Sequence, residues 1–153
     1  MARADPLADD RQSLYERDFC LWLEQQAALL RERRFDELDL ANLVEEIEAL
    51  ARQDKKSVKN NLVVLLTYLL EHQFQPTQRS SGWRGSILEH RRRLRDDFEE
   101  SPSLRPHAAE VFARAYADAR EQASVETGLP LRSFPNSSPY TLEQTLDPKF
   151  LPK

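Results

Sequence analysis

The longest uncharged apolar run in the chain is LVVLLTYLL at 62–70, and the pattern on either side of it organises the rest. At 100° per residue, Leu40, Leu43, Ile47, Leu50, Val58, Leu65 and Leu69 share one face. That stripe stays in phase through the polar stretch RQDKKSVKNN, which holds neither Pro nor Gly. The spacing predicts a single helix of about 35 residues, with a break near Gln53–Lys56 as the alternative. Asp39 is placed to cap its start, its carboxylate accepting from free backbone amides, and Pro76 ends it. Beyond Asn61 the helix is apolar on nearly every side, so that half should be surrounded.

The other elements read as one-faced partners. Residues 1–12 carry no periodicity and are expected to form a loose, disordered tail. From Ser13, the positions Tyr15, Phe19, Trp22, Leu23, Ala27 and Leu30 mark a first helix to about Arg33, followed by a turn plugged by Phe35 and Leu38. The segment QPTQRSSGWRG holds two of the three glycines and reads as a connector. SILE at 86–89 matches a capping box, starting a third helix that Ser101-Pro102 stops. Ser103 then caps a fourth, with Pro106 in its first turn and Gly128 just past its end. The alanines at 108, 115, 119 and 123 would let this helix approach a neighbour closely. Residues 129–153 contain five of the nine prolines and should wrap the bundle as an extended strap. Phe134, Tyr140, Leu146 and Phe150 would anchor it, with one short helix capped by Thr141 and Gln144.

The predicted fold is therefore all-α: an up-and-down helical bundle of about four helices, with one long central helix and a Pro-rich C-terminal strap. Residues 13–153 are expected to form one domain. The first helix should pair with the first half of the long helix, and the third with its second half.

Five segments carry a resemblance in order along the chain: FCLWLEQQAALLRERRFDELDLANLVEEIEAL, LLTYLLEHQFQP, WRGSILEHRRRL, ETGLP and SPYTLEQTLDPKFLP. They resemble a bacterial family known as domain of unknown function 29, over about Tyr15 to Pro152. The resemblance implies an all-helical fold and brings no established activity with it. By that pattern a tryptophan is common where this chain has His72, a cysteine where it has Ser138, and a helix former where it has Gly85. The last departure leaves the start of the third helix open.

Composition narrows the classes further. A chain of 153 residues buries roughly 68–70% of its unfolded surface. Hydrophobic content of 40%, charged content of 31% and few glycines suit a soluble helical protein. The net charge of −4 leaves no global basic field for general nucleic-acid binding. A lone cysteine, Cys20, excludes an intramolecular disulfide and a cysteine metal cluster; its apolar neighbours suggest a small buried hydrophobe. MARADPLADDRQ lacks the apolar centre of a signal peptide, and a nine-residue apolar run falls short of the ~20 needed to span a bilayer. A cytoplasmic location and no membrane association are the resulting expectations.

Candidate chemistry gathers at the C-terminal end of the long helix. His72 lies on its inward stripe, but Asp54 on that stripe is 18 residues away, about 27 Å, too far to share a metal. Glu45, Glu46 and Glu48 lack the Glu-x-x-His pairing of a carboxylate-bridged site and read as a solvated face. Residues 77–95 carry six Arg and one Glu, a local balance of +5. Four spacings inside that helix offer neutralisation: Glu89–Arg93, Arg92–Asp96, Arg93–Asp97 and Arg95–Glu99. Trp83 and Arg84 sit beside glycines at a helix junction and are not explained that way.

These readings favour a non-enzymatic interaction or accessory module with a protein partner or self-association. They assign no catalytic residue, metal or cofactor. The alternative is a small-ligand or nucleic-acid binder using His72, Trp83, Arg84 and Arg91, nucleic acid being disfavoured by charge. A metal-dependent or hydrolytic enzyme is the third reading and has no motif behind it.

Overall fold

The computed structural model describes residues 14–153, so the expected tail over 1–12 lies outside the described residues. After a helical turn at 14–17, the chain forms α1 (Phe19–Arg31), α2 (Leu40–Phe74), α3 (Ser81–Glu100), α4 (Leu104–Thr127) and the short α5 (Leu142–Leu146). Single 3₁₀ turns sit at Phe35–Glu37, Pro76–Gln78 and Leu131–Ser133, and no strand occurs among the described residues. The all-α expectation is met, and α2 runs unbroken through 53–56. The chain divides into two compact units between Arg52 and Gln53, with α2 passing from one into the other.

The first unit is a helical hairpin. Asp18 caps α1 by accepting from Leu21 N at 3.0 Å. Arg33 ends α1 in the left-handed region (φ 59°), and Arg34 N closes back onto Leu29 O at 2.9 Å. The pairs Tyr15–Glu46 and Trp22–Asp39 connect α1 to α2 with rising and falling numbers, so the helices run antiparallel. Trp22 is fully buried and donates from Nε1 to Asp39 Oδ2 at 3.1 Å; Gln26, also buried, accepts from Asp39 N at 2.8 Å. The Asp39 carboxylate thus serves Trp22 and the Asn42 amide (2.8 Å) instead of the helix backbone, a correction to its expected capping role.

The apolar stripe of this unit differs most from expectation. Phe19, Leu23, Leu30, Leu40, Val44, Ile47 and Leu50 are each between 40% and 64% exposed, and Phe35 and Cys20 are exposed as well. The reason is rotational. Tyr15, Trp22 and Gln26 face α2, and Asp39, Asn42 and Glu46 face α1, so the hairpin closes on a part-polar seam. The open apolar positions of both helices are offset in the same sense from that seam at 100° per residue. For antiparallel helices, equal offsets place both stripes on one side of the hairpin.

The second unit holds the buried core. Val58, Leu62, Leu65, Leu66, Leu69 and Leu70 of α2 are wholly buried, joined by Ile87 and Leu94 of α3 and by Leu104, Ala108, Ala115, Tyr116, Ala119 and Ala123 of α4. His90 Nδ1 meets Asn61 Oδ1 at 2.9 Å and Asp97 lies near Asp54, so α3 runs antiparallel to α2. Lys59–Asp118 and Glu71–Glu126 place α4 parallel to α2, completing an up-down-up bundle. The alanine face permits close packing: Thr67 Oγ1 lies 3.5 Å from Ala119 O. α3 begins five residues before the expected capping box, at Ser81. Its cap is Ser80, whose hydroxyl accepts from Trp83 N at 3.3 Å, and Gly82 and Gly85 are inside the helix. Two helical glycines cost roughly 1 kcal/mol each against alanine. Ser103 occupies the cap position of α4 without a side-chain bond, and Gly128 closes it at φ 74°.

The strap packs where its aromatics predicted, with Phe134 and Tyr140 buried and Leu146 and Phe150 against the core. The capping box of Thr141 and Gln144 is formed. What pins it is polar and comes from all three helices. Tyr116 OH donates to Pro135 O at 2.6 Å, Tyr140 OH donates to Gln73 Oε1 at 2.6 Å, and Arg120 Nε donates to Phe134 O at 3.1 Å.

Candidate functional site

The four residues singled out from sequence all belong to the second unit, around the C-terminal end of α2 and the first turns of α3. His72 is buried, as its stripe position implied. Its ring hydrogen-bonds the Pro152 carbonyl, while Nδ1 has no partner. Burial first, then the Arg79 guanidinium, push its pKa below the ordinary histidine value, and Arg84 adds to that. Both effects favour the neutral imidazole, which sits against the end of the strap. The His72 carbonyl accepts from Arg79 Nε at 2.8 Å, closing the α2–α3 connection.

Arg91 is the least expected member. Its side chain is buried, and it donates from Nε to Thr145 O at 2.9 Å and from Nη2 to Phe150 O at 2.8 Å and Gln144 O at 3.5 Å. Burial lowers its pKa from the usual arginine value, and Asp147 opposes that. A guanidinium presents several donors in a fixed fork, which suits the diverging carbonyls of the strap. Arg91 and Arg84 line one cavity of about 290 Å³ with Ile87, Leu88, Pro148 and Leu151. Trp83 is partly exposed and absent from that lining. The structure thus brings Arg84 to both His72 and Arg91, and leaves Trp83 aside.

A second cavity of about 380 Å³ adjoins the first, sharing Leu88, Arg91 and Pro148. Phe98 and Leu146 extend its apolar floor, and Arg92, Arg95 and Arg105 stand around it. Only part of the expected neutralisation of α3 is realised. Arg93 meets Glu89 at 2.6 Å, and Arg95 meets Asp96 at 3.4 Å and Glu99 at 4.0 Å. The expected Arg92–Asp96 and Arg93–Asp97 pairs are not formed among the described residues.

Several ordered segments, one long central helix and a strap pinned to it now stand together, and a family description spans residues 14–151. The chain belongs to the DUF29 family. That family is described only as a domain of unknown function, so membership carries fold and no activity. No curated protein and no solved structure matches the chain. Among the described residues of this DUF29 chain, no group of three or more His, Cys, Asp or Glu side chains is arranged to hold a metal ion. No helix among the described residues is long and apolar enough to cross a membrane.

One group escaped the reading of the sequence. Glu71 is buried and hydrogen-bonded to Glu126, which Gln122 Nε2 also approaches at 2.6 Å. Burial, then that carboxylate neighbour, push the Glu71 pKa up to about 8, while Glu126 is held below its ordinary value by the same bond. The pair shares one proton near pH 7. The signal was present: Glu71 directly follows the apolar run 62–70, most of whose side chains are buried.

Proposed function

We propose that this DUF29 chain is a non-enzymatic protein-interaction module. Its docking surface is the open apolar side of the hairpin, and its partner is a cationic amphipathic helix of another protein. The observation that carries the reading is the set of seven large apolar side chains left 40–64% exposed on one side of two antiparallel helices. Contiguous apolar patches of that kind mark interaction sites. Stripe spacing supports a helical partner: Leu40, Val44, Ile47 and Ala51 recur at steps of four, three and four, the knob pattern that receives a third helix.

Charge supports a cationic partner. Residues 14–52 carry ten acidic and five basic side chains, a balance of −5. A second copy would bring like charge against like charge, whereas a helix with Lys or Arg flanking its apolar face is steered in.

The test is a titration of ¹⁵N-labelled protein with a synthetic Leu/Lys amphipathic helix and with its Leu/Glu counterpart. The Leu/Lys peptide should shift amides of residues 19–50, the Leu/Glu peptide should not, and Ile47→Glu with Leu50→Glu should abolish the response. Both positions are exposed, so the double variant should keep its stability to within about 1 kcal/mol. Equal response to both peptides, or a stable dimer by light scattering that the double variant dissolves, would overturn the assignment of the partner.

A further inference from the structure

The two adjoining cavities along α3 share Leu88, Arg91 and Pro148 and form one trough, and only some of its charges are satisfied from within. It runs beside residues 85–99, about 21 Å at 1.5 Å per residue. Its floor is apolar, built from Leu88 and Phe98 on one wall and Leu146, Pro148 and Leu151 on the strap. Arg84 lines one cavity and Arg92 and Arg105 the other, and the side chains of these three make no ion pair or hydrogen bond with any described residue. Glu99 is the one acidic residue in the lining, and Arg95 already pairs with it at 4.0 Å. Arg91, between the two cavities, is consumed by strap carbonyls and acts as a rigid wall.

From this juxtaposition we infer that the trough is a binding site for a small amphiphilic anion, a carboxylate or phosphate ester attached to an apolar group. The apolar part lies on Leu88, Phe98 and Leu146, and the anionic head is held by Arg92 and Arg105. The cavity volumes fall within the ~300–1,000 Å³ range of small-ligand pockets or just below it. Arginine suits the head group because its fork bonds carboxylate and phosphate in bidentate fashion. An entirely surface-solvated arginine cluster would lack the apolar floor, and a self-neutralised helix would pair Arg92 with Asp96, which it does not. The hairpin plays no part in this site, so its fate is independent of the partner proposed above.

The experiment is calorimetric titration of the full chain with decyl phosphate and decanoate below their aggregation concentrations, with inorganic phosphate and decanol as separate arms. Saturable one-to-one binding of decyl phosphate or decanoate is expected, at least tenfold tighter than inorganic phosphate or decanol. Arg92→Ala combined with Arg105→Ala should weaken it at least tenfold, and Leu88→Asp should weaken it comparably. Arg114→Ala, an exposed arginine outside the trough, should leave it unchanged. Circular dichroism of each variant separates lost binding from lost folding. Absence of saturable binding refutes the inference. So does binding that survives the double arginine variant, or inorganic phosphate binding as tightly as decyl phosphate.

Discussion

Removing the Arg91 guanidinium tests the claim that the C-terminal strap is held by charge-assisted bonds more than by its aromatics. The side chain is 6% exposed and makes two close bonds to strap carbonyls, at 2.9 and 2.8 Å, with a third contact at 3.5 Å. A hydrogen bond to a charged group contributes about 1.5–3 kcal/mol, so the two close ones are worth about 3–6 kcal/mol while the acceptors stay buried. Deleting the side chain also ends the desolvation of a buried cation, and the released carbonyls can turn to water. Arg91→Ala should therefore cost about 2–4 kcal/mol, a large share of a small domain's ~5–15 kcal/mol. Urea denaturation gives the global figure, and amide exchange over residues 140–151 reports whether the strap opens first. Arg91→Lys keeps the charge but loses the fork, and should fall between the two. A variant within about 0.5 kcal/mol of wild type, with strap amides as protected as before, would refute this reasoning.

Other consequences follow from single sites. Glu71 has its folded pKa raised from 4.5 to about 8, so its contribution is full below 4.5 and is lost as pH rises through 8. Glu126 is shifted the opposite way and loses its contribution as pH falls below its ordinary range. Denaturation midpoints of the wild type should therefore decline from pH 6 to 9, by at most about 1.4 kcal/mol per unit, and Glu71→Gln should flatten the decline. Gly85→Ala should stabilise by about 0.5–1 kcal/mol in thermal melts, because Gly85 is inside α3 and an added Cβ meets nothing within 4 Å. Leu66→Ala should cost about 2–5 kcal/mol by the same measure, since the side chain is wholly buried among close-packed neighbours.

Much of this architecture was legible along the chain because helix signals are local. The long helix, the role of Pro76, the Gly128 closure, the Thr141–Gln144 box and the aromatic anchors of the strap each follow from a few neighbouring residues and their backbone preferences. The start of α3 was misjudged for the same local reason: Ser80 and Ser86 are both competent caps, and the helix uses the earlier one, whose hydroxyl accepts from Trp83 N.

The candidate site was legible only as an inventory. Periodicity placed His72 inward and flagged the arginines, but a basic residue in a sequence does not announce its acceptors. Arg91 found carbonyls 54 and 59 residues away, while the Arg92 side chain beside it meets no acceptor among the described residues. The stripe of α2 makes the same point. Leu40, Ile47 and Val58 share a face, yet Val58 is wholly buried and the other two are 64% exposed. Which residues could be covered was readable along the chain, since amphipathicity is a property of one helix. Which of them are covered was decided only by the tertiary structure, because burial needs a second surface, and α1 meets its neighbour along a polar seam set by Trp22, Gln26 and Asp39.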